Sequence, residues 1–240
     1  MFNVKCKMEN QSLLSVFGLD PDKVNIPFAD DAPKRFRFGI YDDQNPDSTE
    51  RARRVLGAYI YSYMKQQSQW LPAYEDVASW LTDNHGRGLI IVGTPGLGKS
   101  LICTRVLPRI LKDHFDRSVL SVTATEMCDR IDGLLKYCQP GHFIIIDDLG
   151  TEPAETVTYG NRRKPFCQLV DAAERTGTLL IITSNLRTTA LRLKQDCQQG
   201  RAGDIDPRSP ASIELRYGAP TLDRLRAITR AIAFIGKSMR

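Results

Sequence analysis

Residues 89–100, LIIVGTPGLGKS, decide the fold of this chain. The apolar residues 89–92 have the length and composition of a buried strand, and a helical pattern follows Ser100. Between them, residues 93–100 match the spacing G-x-x-x-x-G-K-[ST] at every required position. Glycines at these places let backbone N–H groups turn inward around phosphates at a helix N-terminus, where the helix dipole favours anions. The stretch therefore predicts a strand–loop–helix unit that binds ATP or GTP.

The phosphate loop assigns roles to individual residues. Lys99 is expected to reach the β- and γ-phosphates, and the Ser100 hydroxyl to ligate Mg²⁺, so the expected cofactors are ATP and Mg²⁺. The predicted nucleotide-binding residues are Gly93, Thr94, Pro95, Gly96, Leu97, Gly98, Lys99, Ser100 and Leu101. Because Pro108 lies inside the helix that follows, we expect that helix to kink or stop near Leu107.

Apolar runs of strand length alternate with helical patterns along the rest of the chain. Strands are predicted at 89–92, 119–122, 143–146, 179–183 and 231–235, and helices near 99–112, 125–137 and 162–176. Continuous apolar strands that alternate with helices imply a parallel sheet covered on both faces. The predicted fold class is α/β, a P-loop NTPase core with a five-stranded parallel sheet flanked by helices.

Polar residues end two of these strands. In FIIIDDLG, residues 143–150, Asp147 is expected to hold Mg²⁺ through water at the carboxyl edge of the sheet. Asp148 stands where many such ATPases place a glutamate that orients the attacking water. Its side chain is one methylene shorter, so we expect slow hydrolysis, with Glu152 as a possible substitute. In LLIITSN, residues 179–185, Asn185 could contact the γ-phosphate or the lytic water.

The residues before the sheet carry a less regular pattern. Residues 1–45 are interpreted as an extension that could bind a partner, and 46–240 as the ATPase domain. The segment KRFRF, residues 34–38, could stack on nucleic-acid bases, although an edge strand is favoured. A helix capped by Asp47, with Glu50 completing a capping box, is predicted to run to about Gln67. A second helix is expected after Pro72, and residues 194–212 are interpreted as an inserted polar loop.

Composition and charge narrow the class of protein. The 240 residues are 42% hydrophobic and 25% charged, as expected for a chain with a packed core. No apolar run approaches the roughly 18 residues that a bilayer-spanning helix needs, and no secretion signal is recognised, so we expect no membrane contact and a cytoplasmic location. The six cysteines have no ligand spacing and are expected to be reduced thiols. Net charge is +5, and residues 216–240 hold six basic residues and one acidic residue, which suits phosphates of a nucleotide or of nucleic acid.

The C-terminal sequence RYGAPTLDRLRAITRAIAFIGKSMR resembles that of DnaC-type helicase loaders and IstB-type transposition helpers, which are AAA+ ATPases. In that family a Y-G…DRL segment precedes a final strand and G-x-S-x-R. The segments GRGLIIVGTPGLGKS, IIIDDLG and IITSN are similar to family sequences in the same order. The resemblance covers residues 47–240 and implies an AAA+ core with a reduced or absent C-terminal helical lid.

The resemblance also implies roles for three residues. Arg224 matches the arginine finger that reaches ATP bound by a neighbouring subunit, Arg240 matches the second sensor, and Asn185 matches the first. A surface salt bridge to an acid such as Asp223 or Glu214 is the alternative for Arg224.

The function implied is an ATP-dependent homo-oligomer that loads a replicative helicase and contacts single- or double-stranded DNA. A transposase as partner, a nucleotide-gated adaptor that does not hydrolyse ATP, and a small-molecule kinase are the alternatives.

Overall fold

Five parallel strands form the central sheet of the computed structural model, which describes residues 35–42, 44–45, 48–158, 161–188 and 212–236. They are β1 (Gly88–Gly93), β2 (Val119–Thr123), β3 (Phe143–Leu149), β6 (Leu179–Ser184) and β7 (Thr229–Phe234). Two short strands, β4 (Thr156–Thr158) and β5 (Asn161–Arg163), pair antiparallel outside this sheet. The predicted α/β fold with a five-stranded parallel sheet is confirmed.

The strand order β2–β3–β6–β1–β7 places the functional strand ends side by side. Strand β6 lies between β1 and β3, with Ile91 opposite Thr183 and Ile146 opposite Ile182. Because parallel strands end at the same edge of a sheet, the segments that follow these three strands meet there. The crossover that inserts β6 therefore creates the site.

The helices described are α1 (Glu50–Met64), α2 (Ala73–Thr82), α3 (Lys99–Leu101), α4 (Leu107–Phe115), α5 (Ala124–Asp129), α6 (Ile131–Tyr137), α7 (Pro165–Thr176), α8 (Ile213–Tyr217) and α9 (Ala219–Ile228). A 3₁₀ turn, Lys65–Gln67, extends α1, and a π-helical segment, Ile102–Val106, joins α3 to α4. Within the described ranges no helix is both long and apolar enough to cross a bilayer. The last described residues, 235–236, follow β7 without a further helix.

Two hydrophobic clusters cover the two faces of the sheet. Alternate strand residues point to opposite sides, so Leu89 and Ile91 join one cluster while Ile90 and Val92 join the other. Helices α1 to α4 contribute to the first cluster and α5 to α9 to the second. The strands are consequently buried on both faces, which explains why their sequences are continuously apolar.

The helix after the phosphate loop was predicted to kink or stop near Leu107. It does not stop there. It changes from π to α geometry there and continues to Phe115. Pro108 has no N–H, and in a regular α-helix its ring would clash with the carbonyl group of Thr104. Here Pro108 lies in the first turn of α4, where its missing N–H is tolerated, and the wider π segment precedes it.

Two helices, α5 and α6, replace the single helix predicted near 125–137, and they divide at Arg130. A capping box starts α5: the Glu126 N–H donates to Thr123 Oγ1 (3.2 Å) and the Thr123 N–H donates to the Glu126 carboxylate (2.8 Å). The helix predicted from 162 begins later, at Pro165, because residues 161–163 form β5.

The predicted start of α1 was wrong. Its N-cap is Thr49, whose side chain makes no capping hydrogen bond, and Ser48 Oγ accepts the Glu50 N–H instead (3.3 Å). The capping box that Asp47 and Glu50 were expected to form is therefore replaced, and Asp47 itself lies outside the described residues. The predicted end near Gln67 is confirmed.

Residues 35–40 form no strand, and the aromatic side chains of this segment pack on the core, where Phe38 and Ile40 are buried. Phe38 is buried against Trp80, Phe115 and Phe143, with ring centroids 4.7–6.0 Å apart. The Arg117 guanidinium lies over the ring of Phe36. Phe38 and Ile40 belong to the first hydrophobic cluster, although the predicted boundary assigned them to the extension. Lys34 and residues 194–211 of the predicted inserted loop lie outside the described residues. Ser212, the last residue of that predicted loop, is buried and caps helix α8.

Candidate nucleotide-binding site

The phosphate loop connects β1 to α3 through a turn that only glycine can form at two positions. Gly93 has φ +141°, and a Cβ there would lie 1.9 Å from the carbonyl oxygen of Phe234 on β7. Gly98 has φ +79° and is the N-cap of α3. Glycines at these two positions are what an anion-binding loop needs to turn its backbone N–H groups toward a phosphate. Thr94 and Pro95 are exposed, whereas Leu97 packs in the core and fixes the loop to the domain.

Lys99 is the central cation of this loop and only 5% exposed. Its Nζ donates to the carbonyl oxygens of Gly93 (2.9 Å) and Thr94 (2.9 Å) and to Asn185 Oδ1 (2.7 Å). Burial lowers the pKa of Lys99, and the Asp148 and Asp147 carboxylates partly oppose that shift. Neutral oxygens thus hold a buried ammonium group whose charge a phosphate group would balance.

Asp147 and Asp148 come from the end of β3, where the pairing with β6 is irregular between Ile146 and Leu149. Thr183 joins the two aspartates: its hydroxyl donates to Asp147 Oδ1 (2.5 Å) and accepts the N–H of Asp148 (2.9 Å). The motif LLIITSN predicts that a polar residue at this strand end contacts the γ-phosphate or the lytic water, but it does not predict that Thr183 bridges the two aspartates. The bond orients the Asp147 carboxylate from the neighbouring strand.

Asp148 is exposed and has φ +55°, a conformation that few residues other than glycine adopt. Its carbonyl oxygen accepts hydrogen bonds from the N–H (3.2 Å) and hydroxyl (2.9 Å) of Thr151, which hold the turn in place. Backbone strain of this kind concentrates at functional sites because the surrounding structure must maintain it.

Ser100 and Asp147 are the residues suited to hold Mg²⁺. A hydroxyl group in the first turn of α3 and a carboxylate at the end of β3 are the hard oxygen donors that this ion prefers. Leu101 is half-buried beside the core, so its contribution to the loop is packing. The donor set and the buried Lys99 ammonium fit a magnesium-bound nucleoside triphosphate.

Glu152 is used structurally and is not poised to replace Asp148. It is 2% exposed, and its carboxylate accepts the Gly150 N–H (2.8 Å) and the Tyr217 hydroxyl. The Arg216 guanidinium donates to the carbonyl oxygen of Glu152. Sequence analysis missed this network because its members lie 64 and 65 residues apart in the chain.

The ion pairs of Arg224 are with residues of α7 and not with residues of the phosphate loop. On α9, Arg224 pairs with Asp171 (2.5 Å) and Glu174 (3.4 Å) of α7, and its side chain is 45% exposed. The predicted alternative of a surface salt bridge is correct in kind, although the acids are not Asp223 or Glu214. Arg240 lies outside the described residues.

The described cysteines, at 103, 128, 138 and 167, are free thiols. Cys103 is buried behind the phosphate loop, and burial raises its pKa well above the ordinary value. It therefore remains protonated beside Lys99 and contributes packing to the site.

Two of the solved structures to which this chain is similar are a helicase loader and a helicase. The DnaC helicase loader matches with a TM-score of 0.48 and 14% identity, over 74% of this chain and 98% of that chain. Pif1 helicase from Candida albicans matches with a TM-score of 0.41 and 12% identity, over 70% of this chain. The match covers 40% of the Pif1 chain.

Family comparison agrees with the site geometry. No curated protein matches the sequence. The family model of Novel STAND NTPase 3 matches residues 71–224. That match is more than half of the chain and includes the phosphate loop, both aspartates and Asn185. The chain belongs to the Novel STAND NTPase 3 family of P-loop NTPases.

Proposed function

We propose that this protein binds Mg²⁺-ATP and hydrolyses it slowly. The observation that carries the proposal is the convergence of three adjacent strand ends on Lys99: the loop after β1, the two aspartates of β3, and Asn185 after β6. Lysine, carboxylate and amide groups at these positions are what phosphoryl transfer in P-loop enzymes requires.

Each residue has a defined task in this proposal. The Lys99 ammonium exchanges its contacts with Gly93, Thr94 and Asn185 for phosphate oxygens, because anionic oxygens are stronger acceptors than neutral ones. Ser100 and Asp147 would hold Mg²⁺, whose positive charge would offset the negative charge of the phosphates. Thr183 keeps the Asp147 carboxylate in position.

Asn185 and Asp148 act at the far end of the triphosphate. Asn185, released from Lys99, turns to the γ-phosphate or to the attacking water. Asp148 orients that water from an exposed turn, and its short side chain makes turnover slow.

The test is nucleotide binding and turnover by three variants. Lys99→Ala is expected to abolish binding of a fluorescent ATP analogue. Asp147→Asn should retain weak binding but lose the response to Mg²⁺. Asn185→Ala should bind nucleotide and lower turnover by about 10-fold to 1,000-fold. Wild-type binding that is independent of both Mg²⁺ and Lys99 would rule the proposal out.

At the cellular level we propose the DnaC-type role that the C-terminal sequence resemblance implies. The protein would assemble with ATP in the cytoplasm, contact DNA and load a replicative helicase, with Arg224 completing the site of a neighbouring subunit and Arg240 contacting the phosphates of its own. The resemblance in Tyr217, Gly218 and the segment 223–225 supports this role.

Affinity capture with ATP on wild-type and Arg224→Ala protein tests the cellular role. Recovery of a helicase with wild-type protein supports it, and recovery of a transposase supports the IstB-type alternative instead. ATP-dependent capture by a protein with no measurable turnover, with or without DNA, would favour the non-hydrolysing adaptor.

A further inference from the structure

A buried polar network connects the turn after β3 to helix α8. One Glu152 oxygen accepts the N–H of Gly150 (2.8 Å), and the other accepts the hydroxyl of Tyr217. Arg216 donates through one nitrogen to the Glu152 carbonyl oxygen and through Nε to the Tyr217 hydroxyl (3.1 Å). Glu152 and Tyr217 are 2% and 6% exposed, so protein groups, and not bulk water, satisfy them.

In the hydrogen bond between Tyr217 and Glu152, the Tyr217 hydroxyl is the donor. Burial, followed by the Glu152 carboxylate, raises the pKa of Tyr217, so the hydroxyl keeps its proton and donates it. The ring of Tyr217 packs against Phe166 of α7 at a tilt of 54°, with ring centroids 4.6 Å apart, and the Tyr217 carbonyl oxygen accepts from Cys167 Sγ (3.6 Å). Helix α8 therefore holds this donor at a fixed place.

The acceptor side of the network ends in the turn that carries the aspartates. Gly150 has φ +108°, and two residues before it Asp148 has φ +55°. Gly150 adopts its positive φ without a steric penalty, whereas the left-handed backbone of Asp148 persists only where other contacts hold it. The Gly150 N–H bond to Glu152 is such a contact, and Ser184 Oγ supports the intervening residue by donating to the Leu149 carbonyl oxygen (2.6 Å).

We propose that Glu152 and Tyr217 are positioning residues that hold the Asp147–Asp148 turn in the geometry needed for magnesium binding and water attack. The inference rests on the proposed ATPase function. The proposal also makes the geometry of the site depend on α8, which is followed directly by α9 and Arg224. Movement of these two helices would withdraw the Tyr217 hydroxyl from Glu152 and so release the turn.

Tyr217→Phe is the most selective test because it removes one hydroxyl group and retains the ring that packs on Phe166. We expect the turnover number to fall at least about 10-fold, as a small misplacement of reacting groups can cost about 100-fold. The KM for ATP should stay within about twofold, because the phosphate loop itself is unchanged. The Mg²⁺ concentration needed for half-maximal nucleotide binding should rise.

Tyr74→Phe is the matched control. Tyr74 is fully buried, and its hydroxyl has no hydrogen-bond partner among the residues that the structure describes, so removing it changes a buried tyrosine outside the network. This variant is expected to keep wild-type turnover and wild-type Mg²⁺ dependence. Glu152→Gln should lose less than Glu152→Ala, because an amide can still accept from Gly150 and donate to the Tyr217 oxygen.

The outcomes separate the inference from the function on which it rests. If the wild-type protein binds no nucleotide, the proposed function is wrong. If it binds Mg²⁺-ATP and Tyr217→Phe matches Tyr74→Phe in turnover and in Mg²⁺ dependence, the positioning role is wrong and the function stands. If the wild-type protein binds Mg²⁺-ATP without turnover, the Mg²⁺ dependence of nucleotide binding is the test. A higher Mg²⁺ requirement for Tyr217→Phe than for Tyr74→Phe then supports the positioning role, and equal requirements contradict it.

Discussion

At the scale of single residues, Lys99 combines two properties that oppose each other. It must be charged to attract phosphate, yet it is almost fully buried and its pKa is lowered by that burial. The Asp147 and Asp148 carboxylates reduce the cost without removing it. A bound triphosphate stabilises the charged form, so nucleotide binding and protonation of Lys99 are thermodynamically linked.

The linkage predicts a pH dependence with opposite signs for binding and stability. Nucleotide affinity should fall as pH rises, beginning below the range in which an ordinary lysine deprotonates. Over the same range the unfolded chain binds more protons than the folded protein, so the contribution of Lys99 to unfolding free energy increases with pH. Fluorescence titration of an ATP analogue from neutral to alkaline pH measures the first effect.

Lys99→Ala is the control for that profile and should show no measurable binding at any pH in this window. Wild-type affinity that stays constant until ordinary lysines titrate would show that burial does not shift this group.

Gly93 provides a second prediction at the residue scale. Because a Cβ would lie 1.9 Å from the Phe234 carbonyl oxygen, Gly93→Ala should push β1 and β7 apart. We expect the unfolding free energy to fall by about 2–4 kcal/mol and nucleotide binding to weaken. Denaturant unfolding followed by circular dichroism measures the change.

The matched substitution Gly133→Ala lies in α6, where a Cβ meets nothing within 4 Å. It should stabilise the protein by about 0.5–1 kcal/mol through helix propensity. Equal effects of the two alanines would contradict the packing argument at Gly93.

At the scale of elements, sequence predicted the strands well and the helix boundaries poorly. Strands buried on both faces leave a continuous apolar signal, and all five were found within a few residues of their predicted limits. The first and last residues of a helix depend on which nearby donors and acceptors form hydrogen bonds with its unpaired backbone groups. Thr49 starts α1 without using its side chain, and Pro108 is accommodated by a π segment that no periodicity announces.

The same limit explains which parts of the site were predictable. Lys99, Asp147, Asp148 and Asn185 lie in short motifs at strand ends, so their proximity follows from the parallel sheet. The contact of Glu152 with Tyr217 depends on where α8 packs, which short-range patterns do not encode. Likewise, Phe38 is core only because α2 and α4 bring Trp80 and Phe115 to it.

Helix capping gives the prediction at this scale. Thr123 caps α5 through a complete capping box, and Thr49 caps α1 with no side-chain bond. Thr123→Ala should therefore lower the unfolding free energy by about 1 kcal/mol. Thr49→Ala should change it by less than about 0.5 kcal/mol. Thermal unfolding of both variants measures the difference. Equal shifts of the two midpoint temperatures would contradict it.

At the scale of the whole molecule, the open question is whether one chain contains a complete site. The described residues bring the phosphate loop, the two aspartates and Asn185 together, whereas Arg224 is paired with acids of α7 on an exposed surface. Exposed pairs of this kind contribute about 0–1 kcal/mol, so the pairs are readily exchanged for a stronger anion. A guanidinium held this way on the exterior is available to a neighbouring subunit.

Complementation between two inactive variants tests that arrangement. Lys99→Ala lacks a competent phosphate loop but keeps Arg224, and Arg224→Ala has the opposite defect. If Arg224 acts across an interface, each variant alone should lose about 1,000-fold or more in turnover. Mixing them should restore activity, because interfaces that join the intact loop of one protein to the intact arginine of the other are complete.

The control variant is Arg109→Ala, which breaks an exposed pair with Asp113 on α4 and should retain wild-type turnover. An arginine that acts within its own chain gives no recovery on mixing, since every molecule then carries one lesion in its only site. An arginine that merely pairs with Asp171 gives an active Arg224→Ala protein before any mixing. The experiment thus distinguishes a shared site, a self-contained site and a surface ion pair by turnover alone.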